Sequence, residues 1–343
     1  MKPCPYGTHR VVSDKPTLPQ AADVIDASMT LHPNELKINV HTLNIDSASF
    51  HQIKQAANND KTKMKTMIET IVKTKGKMQN PITKSGGMLI GEVAEIGKDF
   101  HNQSLTIGTK IATLVSLSLT PLHIDEIIDI NVSNEQVTIK GQAILFDSGI
   151  YATIPKDLNE KLVLASLDVA GAPAQVKKLA KPGDTVFIIG AAGKSGILCA
   201  YQAKKQVGPS GIVIGLVNEP TQIDQLNQLD LCDAIILADA QNAIDVYHKV
   251  SDVTNNTLAD VTINVVNVPD TEMASILSTK ENGTVYFFSM ATSFTKAALG
   301  AEGVGKDVQM IIGNGYTKNH AETTLNIIRE STAIRNMFSQ KYI

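Results

Sequence analysis

The stretch FIIGAAGKSGILCA, residues 187–200, contains residue types and spacings that could hold a phosphate. Its Gly-Lys-Ser is the tail of a P-loop, and its three glycines are spaced as in a dinucleotide-binding turn. A P-loop needs a further glycine at position 188. That position is Ile188, inside the apolar run VFII of an expected buried strand, so the loop is too short to wrap a triphosphate. The dinucleotide reading fits better. Thr185–Ile189 reads as a strand and SGILCAYQAKK as the following helix. Gly190 permits the turn, Gly193 lets backbone approach a pyrophosphate, and Gly196 lets the helix pack against the sheet. Ala192, Lys194 and Ser195 belong to the same turn, where N–H groups and the helix dipole favour an anion. The spacing is G-x-x-G-x-x-G, so a purely structural glycine turn is the alternative.

The neighbouring elements favour a cofactor. A second strand, Ile212–Val217, ends at Asn218 and Glu219, where a polar side chain would bind the adenosine ribose. No Lys or Arg occurs from Leu216 to Ile235, which favours NAD over NADP. Strand-like runs follow at 234–239, 261–266, 284–289 and 308–313, with helical patterns between most of them. This alternation predicts an α/β fold with a doubly wound parallel sheet. Asn267, Ser289 and Met290 follow its strands, where such sheets hold ligands, and are expected beside the nicotinamide ribose and ring.

The first 150 residues read differently. Leu36, Ile38 and Val40 alternate with polar residues, and glycines with short apolar runs continue through GGMLIGEVAEIG (86–97). One helix interrupts this β-rich pattern, with Met64, Met67, Ile68, Ile71 and Val72 on one face. Lysines 61, 63, 65, 73, 75 and 77 flank it and are expected to be solvated. The tail, about 321–338, reads as another helix. The expected division is a β-rich domain of 1–155 plus 317–343 and a Rossmann domain of 156–316.

Composition narrows the function classes. A formal net charge of −3 argues against a nucleic-acid partner. No apolar run is long enough to span a membrane, and the first residues lack a signal-peptide core, so a cytoplasmic protein is expected. Cys4, Cys199 and Cys232 have neither disulfide-framework nor zinc spacing.

A β-rich domain, a Rossmann unit and a short returning tail resemble the medium-chain dehydrogenase/reductase superfamily. KPGDTV (181–186) and GEVAEIG (91–97) are similar to its motifs. The GroES-like catalytic domain of that family is implied. Where the zinc branch has its ligands, this chain has Asp46, in LNIDSASF, and Gly87-Met88, so no metal is expected. More specifically, GTHRV, TLNIDSASF, QNPITKSGGMLIG, KIATLVSLSLTPL, ILFDSGIYA and LDVAGAPAQ resemble the 3,5-diaminohexanoate dehydrogenase family of anaerobic lysine fermentation. The resemblance implies NAD-dependent oxidative deamination at C3.

That substrate has two amines and a carboxylate. Arg10 is the expected carboxylate anchor, because a guanidinium pairs bidentately. Asp46, Asp168 and His9 are the candidate bases, Asp168 alternatively holding the distal amine, and Ser47 and Ser49 could orient water or amine. Asp147 and Tyr151 are further substrate-binding candidates, whereas Glu92, after a glycine in a strand-like run, reads as structural. A homodimer through the last Rossmann strand, near 308–313, is implied by analogy. The competing readings are a zinc-free quinone or enone reductase and a non-catalytic NAD-binding protein.

Overall fold

Alternating apolar residues build β1 (Glu35–Ile45), the strand on which the first unit is organised. Leu36, Ile38 and Val40 face inward, then Leu43 and Ile45. The switch from even to odd positions coincides with a register shift between Val40 and Thr42, and such a bulge re-aims every later side chain. The computed structural model describes residues 3–13, 15–313 and 315–342, and the chain separates into units Met1–Leu158 and Asn159–Ile343.

In the first unit, α1 (Ser47–Ala56) and α2 (Lys61–Lys75) follow β1. Asp60 caps α2 through the Thr62 and Lys63 amides. Met64, Ile68 and Val72 form the buried stripe that the spacing predicts. Then come β2 (Gly87–Ile96), β3 (Lys110–Thr113), β4 (Leu122–Asn131), β5 (Gln136–Phe146) and β6 (Tyr151–Thr153). They form one antiparallel sheet in the order β4-β5-β1-β2-β3-β6. Lys77 departs from the expected solvated face. It lies beyond the end of α2, fully buried, and its Nζ donates to the carbonyls of Pro19, Gln20 and Ala22 at 2.6–3.2 Å. Burial, with the nearby Lys75, lowers its pKa to about 8, against a smaller opposing pull from Asp23.

The second unit opens with α3 (Glu160–Leu167) and α4 (Gly171–Leu179), then β7 (Thr185–Ile189), α5 (Lys194–Val207), β8 (Ile212–Val217), α6 (Pro220–Leu229) and β9 (Ala234–Leu237). After α7 (Ala243–Val253) come β10 (Ala259–Asn264), α8 (Glu272–Leu277), β11 (Thr279–Phe287), α9 (Phe294–Val304) and β12 (Gln309–Ile312). All strand pairs are parallel, in the order β12-β11-β10-β7-β8-β9. This is the dinucleotide-binding order, with the chain reversing direction across the sheet next to β7.

The tail corrects the expected division. It forms α10 (His320–Glu330) and α11 (Thr332–Tyr342), and both belong to the second unit. Leu325, Ile327 and Ile328 of α10 are buried as it packs on α3, α4 and α5. An apolar helix stripe goes where another apolar stripe is on offer, and the helices ahead of β7 supply it.

Candidate functional site

The glycine turn lies between β7 and α5, and its three glycines have different reasons to lack a side chain. Gly190 has φ +87°, and a Cβ there would meet Val266 at 3.1 Å. A Cβ on Gly196 would lie 2.1 Å from the Gly190 carbonyl oxygen, so this glycine serves helix–turn packing. Gly193 is unlike both. Its φ is −75°, and a Cβ would meet only the Gly190 oxygen at 3.4 Å. Nothing in the protein demands glycine there, whereas a pyrophosphate against the backbone would.

That turn opens on a cavity of about 230 Å³ lined by Gly190, Ala192, Gly193, Asn218, Asn267 and further residues. Five of the expected cofactor residues therefore line one cavity. Gln222, Asp239 and Val265, Val266 and Val268 line it too and were not expected. Asp239 was hidden at the end of an apolar run that reads wholly as strand. The lining contains no Lys or Arg. Ser195 and Gly196 lie in the first turn of α5, and Glu219 stands at the N-cap position of α6, exposed and without a side-chain capping bond. Ser289 accepts the Ala291 amide within its own loop, and Met290 is exposed. None of these last five residues lines the cavity.

Lys194 and Asp168 are not independent groups. The Lys194 ammonium donates to Asp168 Oδ2 at 2.5 Å, so the expected pyrophosphate cation and the expected second base form an ion pair in the second unit.

In the first unit, Asp46 caps α1. Its Oδ1 accepts the Ser49 amide at 3.0 Å and the Ser85 hydroxyl at 2.9 Å. Its Oδ2 is buried with no hydrogen-bond partner. Ser49 Oγ contacts Thr83 Oγ1 at 2.6 Å and Ser85 Oγ at 2.8 Å, giving a hydroxyl cluster beside the carboxylate. Ser47 is exposed and donates to Glu135 Oε2 at 2.5 Å. Gly87 passes so close to this cap that a Cβ would lie 2.0 Å from the Asn44 oxygen, and its φ is +111°. An unpaired buried carboxylate oxygen is costly, and a cationic ligand would relieve it.

Arg10 corrects an expectation. Its guanidinium is buried and bonds both Glu35 oxygens at 2.6 Å. Its other N–H groups donate to the carbonyls of Asp26, Ser28 and Thr30. All its directed donors are spent on the fold, leaving none for a substrate carboxylate. His9 joins the same cluster, with Nε2 2.9 Å from Glu35 Oε1 and its ring edge-on to His32. Burial raises the Glu35 pKa, but the Arg10, His32 and His9 contacts outweigh it and hold the carboxyl below its ordinary value. His9, His32 and Glu35 are the one trio of possible metal ligands among the described residues. The Arg10 fork on Glu35 would set a guanidinium against any cation placed there.

Asp147 and Tyr151 line a separate cavity of about 420 Å³ with His101 and Asn102. Asp147 Oδ1 accepts the His101 amide at 2.7 Å and lies 3.1 Å from its Nδ1, while the Asn102 amide donates to the Tyr151 hydroxyl at 2.7 Å. Glu92 is half-buried on β2, 3.7 Å from His41.

Residues 9–155 match the family model described as the L-erythro-3,5-diaminohexanoate dehydrogenase N-terminal domain. The chain is 57% identical to an L-erythro-3,5-diaminohexanoate dehydrogenase of Acetoanaerobium sticklandii, covering all of both chains. It is 56% identical to one of Fusobacterium nucleatum, over all of this chain and 99% of that one. Among solved structures it is similar to Escherichia coli quinone oxidoreductase complexed with NADPH (TM-score 0.54, 14% identity, 90% of this chain and 83% of that one). It is also similar to CurK enoyl reductase (TM-score 0.55, 13% identity, 92% and 81%). At such identities the likeness is one of fold alone, here the medium-chain dehydrogenase/reductase architecture.

Proposed function

The chain belongs to the L-erythro-3,5-diaminohexanoate dehydrogenase family, and we propose that it oxidatively deaminates 3,5-diaminohexanoate at C3 with NAD. The full-length identity to two dehydrogenases of that name carries this reading. The products are 5-amino-3-oxohexanoate, ammonium, NADH and a proton, with one water consumed. A place in anaerobic lysine degradation and in the cytoplasm belongs to the same proposal.

The residues present fit the dinucleotide. The backbone at Gly193, open on its ligand side, would hold the pyrophosphate at the start of α5. Asn218 and Asp239 line the cavity and suit ribose hydroxyls, while a carboxylate without a neighbouring cation disfavours the 2′-phosphate of NADP. When bound, the cofactor accepts the hydride from C3.

The chain's own residues handle the amine. The unpaired Oδ2 of Asp46 receives the C3 ammonium and takes its proton, because only the neutral amine pushes hydride from carbon. The resulting iminium takes up water, and the proton returned by Asp46 lets ammonia depart. The Ser49, Thr83 and Ser85 hydroxyls keep Oδ1 anchored while Oδ2 works.

A homodimer completes the reading. β12 is an edge strand of its sheet, with Ile312 exposed, and suits continuation into a second copy. Light scattering on the purified protein tests this, with a monomer mass refuting it. The main test is NADH formation from NAD and 3,5-diaminohexanoate, with NADP alongside. No diamine-dependent NADH from a folded protein refutes the activity, and an equal rate with NADP refutes the cofactor preference.

A further inference from the structure

The turn between β4 and β5 carries a carboxylate that the reading above leaves unused. Glu135 has φ +60°, in the left-handed region that such a residue seldom adopts. Two bonds hold it there. Its backbone oxygen accepts the Ile45 amide at 3.3 Å, and its Oε2 accepts the Ser47 hydroxyl at 2.5 Å. Those partners are the residues immediately before and after Asp46. The side chain is half-buried, and among the described residues no Lys, Arg or His pairs with it.

We propose that Glu135 receives the second ammonium group of the diamino acid, so that Asp46 and Glu135 together select diamines over monoamines. This rests on the reading that Asp46 binds the reacting amine. The reaction asks different things of the two nitrogens. The C3 amine must lose a proton, whereas the C5 amine stays charged throughout. The two carboxylates differ in the same sense. Asp46 keeps one oxygen buried and unpaired beside a hydroxyl cluster, suited to exchanging a proton. Glu135 takes a hydroxyl donor from Ser47 and keeps its remaining acceptor capacity for a permanent cation. The strand end and the hairpin turn are hydrogen-bonded to each other, which ties together the two stretches of backbone that carry the carboxylates.

The test compares 3,5-diaminohexanoate with 3-aminohexanoate as substrates of the whole enzyme, wild type and Glu135→Gln. Glutamine keeps the length and still accepts from Ser47, but it carries no charge. The ratio of kcat/KM for the diamine to that for the monoamine should fall about 10- to 100-fold, the scale of one charge-assisted hydrogen bond, mostly through KM. An unchanged ratio overturns the proposal. If Glu135→Gln does not fold, Ser47→Ala serves instead. Freeing Glu135 from its orienting bond should lower the same ratio about 2- to 10-fold, and no change again overturns the proposal. Wild-type enzyme that oxidises both compounds equally well leaves the deamination standing and removes the role of Glu135. Wild-type enzyme that oxidises neither removes the deamination reading itself, and Glu135 with it.

Discussion

Two carboxylates bracket β1, Glu35 at its first position and Asp46 just past its last, and they have opposite fates. Glu35 is saturated. Arg10 takes both oxygens, His9 lies against one, and the His32 amide donates to the other. Asp46 is half-saturated, with one oxygen held by the α1 cap and Ser85 and the other bare. A buried polar group whose bonds are complete belongs to the fold, and one left short is available to a ligand. Residue type alone misleads at the saturated end, because Arg10, the partner of Glu35, looks like a substrate anchor.

The contrast breaks hardest at the saturated end. Glu35→Gln leaves the Arg10 charge buried without its partner and should cost about 3–5 kcal/mol of stability by denaturant unfolding. A loss below about 1 kcal/mol would show the cluster to be solvated. At the other end, Asp46→Asn should cut kcat by about 10²-fold or more with the melting temperature held. Loss of stability instead of turnover would make Asp46 a cap alone. The glycine turn offers a matching pair. Gly193→Ala should weaken NAD binding at least about tenfold, as its Cβ takes the place of phosphate, with stability unchanged. Gly196→Ala should instead destabilise by about 1–3 kcal/mol through its backbone clash. Calorimetry and thermal melts on both variants separate the two effects, and equal melts would erase the distinction.

The smallest expected effect lies at Lys77. Native Lys77 releases its proton near pH 8 and the unfolded chain near pH 10.5, so between these values the unfolded state binds more protons. This residue's burial penalty therefore shrinks as pH rises through that window. Lys77→Met should flatten that part of the stability–pH curve, and an unchanged slope would place the titration elsewhere.

Much of the second unit was legible because its strands are continuous apolar runs and the glycine turn has local causes. The first unit hid more. The β4–β5 hairpin reads HIDEIIDIN along its first strand, and so many charged outward positions obscure the alternation. Arg10 is buried by carbonyls at 26, 28 and 30 and by Glu35, partners that only the folded loop brings to it. The pairing of Lys194 with Asp168 likewise joins residues from α5 and the end of α3. The tail's helical period was visible, but periodicity says nothing about which neighbour receives the apolar face.

The order of strands in the first sheet also has a consequence for synthesis. β1 lies at the sheet's interior, yet one of its two neighbours is β5, with Glu35 opposite Phe146. At about 5–20 residues per second, a ribosome needs roughly 5–20 seconds to make the intervening chain. Through that interval β1 can pair with β2 but shows an unpaired edge on its other side. The nascent chain is most exposed to aggregation during this time, and slowing translation between β2 and β5 should lower soluble yield more than slowing it anywhere in the second unit.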